Sequence, residues 1–153
     1  MTEIEDLTAA KGDYVLVLKI EHGLQLEVGR LGQVWFPPGW ALYVGSARGS
    51  GGLRARLLRH TKPAELKRHH WHIDFLTAAA LIHEIWWYSH EPSLECRWAE
   101  LIHQIGQPVA GFGSSDCHCT THLFSMPTHA RVEQVWTSLA MESRAELRRV
   151  SLQ

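Results

Sequence analysis

Arg56 and His60 stand four residues apart in the segment 53–60, LRARLLRH, a spacing that places both on one helical face where they can meet one ligand. A guanidinium there can grip a phosphate through two parallel donors and neutralise charge developing on it. Glu95, two residues after Ser93, is a carboxylate suited to one hard cation, Mg²⁺ or Mn²⁺. Tyr14 and Tyr43 sit in apolar stretches and each is followed by valine. A phenol beside an arginine and a metal ion loses its proton more readily and can act as general base toward water. Base, electrophile and cationic clamp suffice for metal-assisted phosphodiester hydrolysis. Each residue taken alone has an ordinary reading: sheet tyrosines with hydroxyls at the surface, an exposed helix face, a first-turn charge on a helix. Only the combination points to chemistry.

The elements that must position these residues can be read from pattern. Residues 13–20 (DYVLVLKI) are β-branched and apolar, a buried strand, while 24–29 alternate as a half-buried strand does. Gly29-Arg30-Leu31-Gly32 marks a turn and 33–36 return as a strand. After Pro37-Pro38-Gly39, residues 40–45 form another strand that ends at Gly45, followed by a flexible loop over 46–52. Small residues there let a substrate backbone approach. The loop lacks the lysine of a P-loop, which excludes a nucleoside-triphosphate site of that kind. Leu53, Leu57 and Leu58 give the next helix its apolar face. A second helix is expected within 66–79, a strand over 81–89, and a helix from about Ser93 to Gly106 with Ser93 as N-cap and Glu95 in its first turn. Residues 111–119 read as loop, 122–126 as a short strand, and Val132, Val135, Trp136 and Leu139 as a last helix. The expected class is α+β (mixed α/β), a small, mainly antiparallel sheet flanked by helices.

Composition bounds the rest. With 45% hydrophobic and 20% charged residues in 153, the chain is a globular domain rather than a disordered segment. No apolar run approaches the ~20 residues of a membrane helix, so no membrane partner is expected. No signal peptide is visible, so the expected compartment is the cytoplasm. Three cysteines, Cys96, Cys117 and Cys119, argue against a disulfide framework. The net charge of −1 gives no global attraction to nucleic acid, but Arg48, Arg54, Arg56, Arg59, Lys62, Lys67 and Arg68 face a single acid, Glu65. Such a band is either a solvated helix face or a surface that steers a phosphate backbone. On the second reading Gly45, Ser46, Arg48, Arg54, Arg59 and His72 contact substrate.

Cys117-His118-Cys119 followed by His122 offers soft ligands for Zn²⁺, with His103 or Cys96 available to complete a set. The alternatives are a pair of partly buried thiols, or Asp116, His118 or His122 reaching into the active site. His70, His72 and Asp74 recur at every second residue, so a His72–Asp74 pair would orient a proton carrier or touch phosphate on a strand but not on a helix. Trp86, Trp87 and Trp136 are expected in the core, and Trp71 either there or stacked on a base.

Gly12-Asp13-Tyr14, then Tyr43-Val44-Gly45, Arg56 in a helix and Glu95 in a later one resemble the GIY-YIG nuclease superfamily. The segments YVGSARGSGGLRARLLRH, WHIDFL, Glu95-Cys96 and GFGSSDCHC-TTHL look like blocks of its Uri-type branch, from Gly12 to about residue 124. The resemblance implies a metal-dependent endonuclease acting on nucleic acid, DNA rather than RNA, by in-line attack of water with a single divalent ion. Tyr14 and Tyr43 take the places of the motif tyrosines, Arg56 that of the helix arginine, His60 that of a histidine kept in some homing endonucleases, and Glu95 that of the metal-binding glutamate. The tyrosines lie farther apart than is usual in the family, implying an inserted hairpin around Gly29–Gly32. The family's late asparagine has no counterpart, since the chain contains none, and Ser114, Ser115 or Asp116 are the candidates to hold the site in its place. The alternative is a catalytically weak or inactive nucleic-acid-binding module on the same fold. The expected organisation is a tail over 1–11, the nuclease-like domain over 12–126, and a C-terminal helix over 127–153 packed on it or extending it.

Overall fold

The computed structural model describes residues 7, 9–113, 121–144 and 146–152. Its centre is β1 (Gly12–Ile20), buried at all but one position because both faces of the strand are covered. In chain order there follow β2 (Leu24–Glu27), β3 (Gln33–Phe36), β4 (Gly39–Ala47), α1 (Gly52–Thr61), α2 (His72–Thr77), β5 (Leu81–Ser89), α3 (Glu95–His103), β6 (Gln107–Pro108), β7 (Leu123–Met126), α4 (His129–Glu142) and β8 (Arg148–Ser151). Six strands form one antiparallel sheet in the order β6-β7-β4-β1-β5-β8, and β2 and β3 pair separately as a hairpin. The class is α+β, as the patterning implies, and the hairpin turns through a 3₁₀ segment at Gly29–Leu31.

The period of two along β1 and β4 divides the core between the two sheet faces. Tyr14, Leu16, Leu18, Ala41 and Tyr43 pack with Leu53 and Leu57 of α1 and with Ile73 and Leu76 of α2. Val15, Val17, Leu42, Val44 and Trp86 pack with Trp98 and Ile102 of α3 and with Val132, Val135 and Leu139 of α4. Trp87 and Trp136 are only partly buried against these clusters. α4 lies on the second face and β8 pairs with β5, so the C-terminal segment supplies an edge of the same sheet.

Several boundaries differ from the sequence reading. β4 continues to Ala47, so the expected loop over 46–52 begins as strand. The helix expected within 66–79 is six residues long, preceded by a 3₁₀ turn at Ala64–Leu66, because Asp74 draws the backbone at residues 70 and 71 into a fixed entry. α3 stops at His103 rather than near Gly106. The unexpected β8 is rich in arginine: Arg149 is held by Glu84 and Glu133 and lies over Trp136, so tertiary partners rather than strand propensity fix it. Among the described residues no helix is long and apolar enough to cross a membrane.

Candidate active site

A cavity of about 230 Å³ opens where β1, β4, α1 and α3 meet, and Tyr14, Tyr43, Arg56 and Glu95 all line it. β1 and β4 set the two phenols. Their register pairs Tyr14 with Gly45 and Leu16 with Tyr43, so the tyrosines are diagonal neighbours on one face. Gly45 has a different task from the one its loop-like sequence suggests. It lies within the strand, and a Cβ there would run into the ring and hydroxyl of Tyr14. The glycine makes room for the phenol and itself lines the cavity.

Tyr14 is buried, and its hydroxyl lies 2.7 Å from Nε2 of His60. His60 is itself 2% exposed, and its Nδ1 meets no hydrogen-bonding atom. Burial, reinforced by nearby Lys67, pushes the imidazole pKa down to about 3, so His60 is neutral at physiological pH. Burial raises the Tyr14 phenol well above its ordinary value, against the pull of the Arg56 guanidinium, and Tyr43 moves the same way through burial and the neighbouring Tyr14. Arg56 and His60 do share the inner face of α1, and both meet Tyr14, while Arg56 also lines the cavity.

Arg56 is held from two sides. Its Nη1 donates to the Ser46 carbonyl at 3.0 Å, and its guanidinium lies 4.5 Å from the Trp71 ring centre. Arg59 packs on the same indole at 4.2 Å and forks onto both oxygens of buried Asp74 at 2.9 Å. Asp74 also accepts from the backbone N–H of His70 and Trp71. Burial would raise its pKa, but the Arg59 fork and those two amides outweigh it and hold the carboxyl near 2.

Glu95 enters from the start of α3, where Asp13 fastens the chain. The Asp13 carboxylate is fully buried and accepts from Arg48 Nη2 (2.9 Å), Ser93 Oγ (3.1 Å) and Leu94 N (2.9 Å), and lies 2.9 Å from His90 Nε2. Ser93 Oγ in turn accepts from Glu95 N at 3.2 Å, but the N-cap is Leu94, whose side chain makes no cap bond, so Ser93 stands one residue before the cap position expected of it. Burial, with the Asp13 charge adding to it, raises the Glu95 pKa to about 7 against the opposing Arg56 and Arg48. His122, at the foot of β7, closes the cavity with Nδ1 3.5 Å from Glu95 Oε2.

Four other expected site residues, Arg48, Arg54, Arg59 and His72, do not line the cavity. Arg48 is bound to Asp13 and the His90 carbonyl and does not line the cavity. Arg59 is committed to Asp74. Arg54 is exposed on α1, away from the cavity. Ser46 does line it, with its carbonyl on Arg56 and its hydroxyl accepting from Arg48 Nε at 3.2 Å. His72 forms no pair with Asp74; its Nδ1 accepts from Gly113 N at 2.8 Å and its ring meets Phe112, tying α2 to the 109–113 segment. Lys67 donates to the Arg59 and His60 carbonyls and to Thr77. Much of the cationic band is thus consumed by the fold.

Cys96 is disulfide-bonded, which corrects the inference from cysteine count: three cysteines leave room for one bridge, and spacing in sequence does not reveal which Cα atoms approach. Cys96 is therefore no thiolate ligand for zinc. His103 packs against Phe124, and His122 faces Glu95. Ser114, Ser115, Asp116, Cys117, His118 and Cys119 lie outside the described residues. Among the described residues no group of three or more His, Cys, Asp or Glu side chains is placed to hold a metal.

The family model described as "Domain of unknown function DUF123" matches residues 13–145. The chain belongs to the DUF123 family. No curated protein and no solved structure matches it. The match begins at Asp13 and takes in every residue of the cavity described above, so these groups belong to the DUF123 domain itself. The roles of two contributors, Asp13 as the anchor of α3 and Trp71 as the platform for Arg56 and Arg59, were not read from sequence. Asp13 had a signal, because a carboxylate inside an apolar strand must be paired. Trp71 had none that separated packing on arginine from stacking on a base.

Proposed function

We propose that this DUF123 domain is a metal-dependent endonuclease of the GIY-YIG type, hydrolysing phosphodiester bonds in nucleic acid, with DNA the favoured substrate. One observation carries the reading. Tyr14, Tyr43, Arg56 and Glu95, drawn from two strands and two helices, line one cavity. A packing role alone does not require an arginine, a glutamate and two phenols at the same concave spot.

The residues fit a divalent ion. Glu95 is a desolvated carboxylate that retains 22% exposure, and burial makes its charge costly until a cation compensates it. One or two protein donors, with water and substrate oxygens completing the shell, is the ordinary Mg²⁺ arrangement. Bound at Glu95, the ion would supply Lewis-acid stabilisation of charge on the phosphate oxygens. Arg56, fixed by the Ser46 carbonyl and Trp71, clamps the scissile phosphate as charge builds on it. Tyr14 orients the attacking water, and neutral His60, 2.7 Å from its hydroxyl, fixes that hydroxyl by a hydrogen bond. Tyr43, its diagonal neighbour, holds the same water or relays a proton.

The second reading, a non-catalytic binding module, draws support from burial holding both phenols far from ionisation. Purified protein incubated with labelled single-stranded DNA, duplex DNA, flap DNA and RNA separates the two. Metal-dependent cleavage is expected, lost in Arg56→Ala and Glu95→Ala variants that melt like wild type. Salt-sensitive binding without turnover under every condition would favour the module.

A further inference from the structure

We infer that His122 is a second protein ligand for the cation at Glu95, and that its imidazole makes the site select Mn²⁺ over Mg²⁺. The inference deepens the nuclease reading and rests on it only for the placing of the ion at Glu95.

His122 Nδ1 faces Glu95 Oε2 at 3.5 Å, beyond a good hydrogen bond. Two adjacent donors on one octahedral ion, each about 2.1 Å from it, lie about 3 Å apart, so a small adjustment brings both onto one centre. Both side chains line the cavity, with His122 4% and Glu95 22% exposed.

His122 is also held as a ligand needs to be. Its N–H donates to the Phe112 carbonyl and its own carbonyl accepts from Val44 N, both at 2.9 Å. The preceding residue, Thr121, anchors the same corner, its hydroxyl donating to the Val109 carbonyl at 2.5 Å and accepting from Leu123 N at 3.1 Å. On the other side Asp13 fixes the start of α3. The two donors therefore project from separately anchored backbone, and little ordering is left for the ion to impose.

Ligand chemistry sets the preference. Mg²⁺ takes oxygen donors and tolerates imidazole poorly, whereas Mn²⁺ accepts a mixed nitrogen and oxygen shell. Two protein donors leave most positions to water and substrate oxygens, so this is an open site and not a closed structural one.

The test is Mn²⁺ binding followed by electron paramagnetic resonance on the intact chain, with Mg²⁺ as competitor and no nucleic acid present. Wild type is expected to bind Mn²⁺ at least about tenfold more tightly than Mg²⁺ and to show a nitrogen coupling in the electron spin echo. His122→Asn, which exchanges the nitrogen for an oxygen donor, is expected to lose both, and its metal-free melting temperature checks its fold. Wild-type Mn²⁺ without a nitrogen coupling, or an unchanged preference in His122→Asn, overturns the inference and leaves an ion at Glu95 standing. Undiminished Mn²⁺ binding in Glu95→Ala overturns the placing of the ion and the inference together.

Discussion

Replacing Asp13 by alanine removes the acceptor on which the start of α3 is hung. Its carboxylate is fully buried and serves Arg48, His90, Ser93 and the Leu94 amide. Breaking a buried pair on one side costs about 3–5 kcal/mol, because the partner is left without compensation. Here the Arg48 side chain is 27% exposed and can turn toward water, which places the loss at the lower end, about 3 kcal/mol. For a domain of this size that corresponds to a fall in melting temperature of about 6–12 °C. Asp13→Asn keeps one carbonyl oxygen but turns an N–H₂ group toward donors, so about half that loss is expected. Differential scanning calorimetry of the three proteins reads the effect, and cleavage should fall further than stability because Glu95 loses its fixed base. A drop below about 1 kcal/mol in Asp13→Ala would refute the reasoning, since the carboxylate would then be no organiser of this corner.

Gly45→Ala should displace Tyr14, because the new methyl meets its ring and hydroxyl; a destabilisation of about 1–3 kcal/mol is expected by chemical denaturation, with cleavage falling more than in a surface control. Normal cleavage in that variant would show that Tyr14 has another place to go. His60 has a folded pKa near 3 against 6.5 when exposed, so the native state binds fewer protons than the unfolded one and its stability is lost as pH falls from about 6.5 toward 3. The loss is of order 3–5 kcal/mol, and His60→Gln should flatten this acid limb in urea titrations at several pH values. An identical limb in the variant would assign it to other groups. Tyr14→Phe keeps the ring that fills the core and removes the hydroxyl facing His60; it should lower kcat by about 10²–10⁴, as single-turnover cleavage would read, and cost about 1–3 kcal/mol because buried His60 Nε2 loses its partner.

The strands were legible because period and composition agreed. Residues 13–20 and 81–89 are apolar and β-branched over lengths that a sheet interior demands, and each forms as expected. Failures came where one tertiary contact outweighs local preference. The 66–79 region has helical composition, but Asp74 spends its lone pairs on Arg59 and on the amides of residues 70 and 71, which cuts the helix to its last turns. β8 exists because Arg149 finds Glu84 and Glu133, neither adjacent in sequence.

At the site, spacing identified Arg56 and His60 as partners on one face, yet it could not show that both are turned inward upon Tyr14. The positive run from Arg48 to Arg68 reads as a phosphate surface, but pairing to Asp13 and Asp74 is long-range and leaves no local mark. His122 was legible as a ligand-type residue near the cysteines and as one of three candidates to reach into the active site, where it does line the cavity, but its partner there was not. Its approach to Glu95 depends on β7 lying beside β4, a pairing between segments some eighty residues apart in the chain.

The most direct test of the central claim is cleavage of labelled DNA and RNA by wild type and Glu95→Ala with Mg²⁺, Mn²⁺ or EDTA. Cleavage by wild type is expected to require the metal and to vanish both in EDTA and in Glu95→Ala. Cleavage that persists in Glu95→Ala at the wild-type rate, or binding without cleavage in every condition, would contradict it.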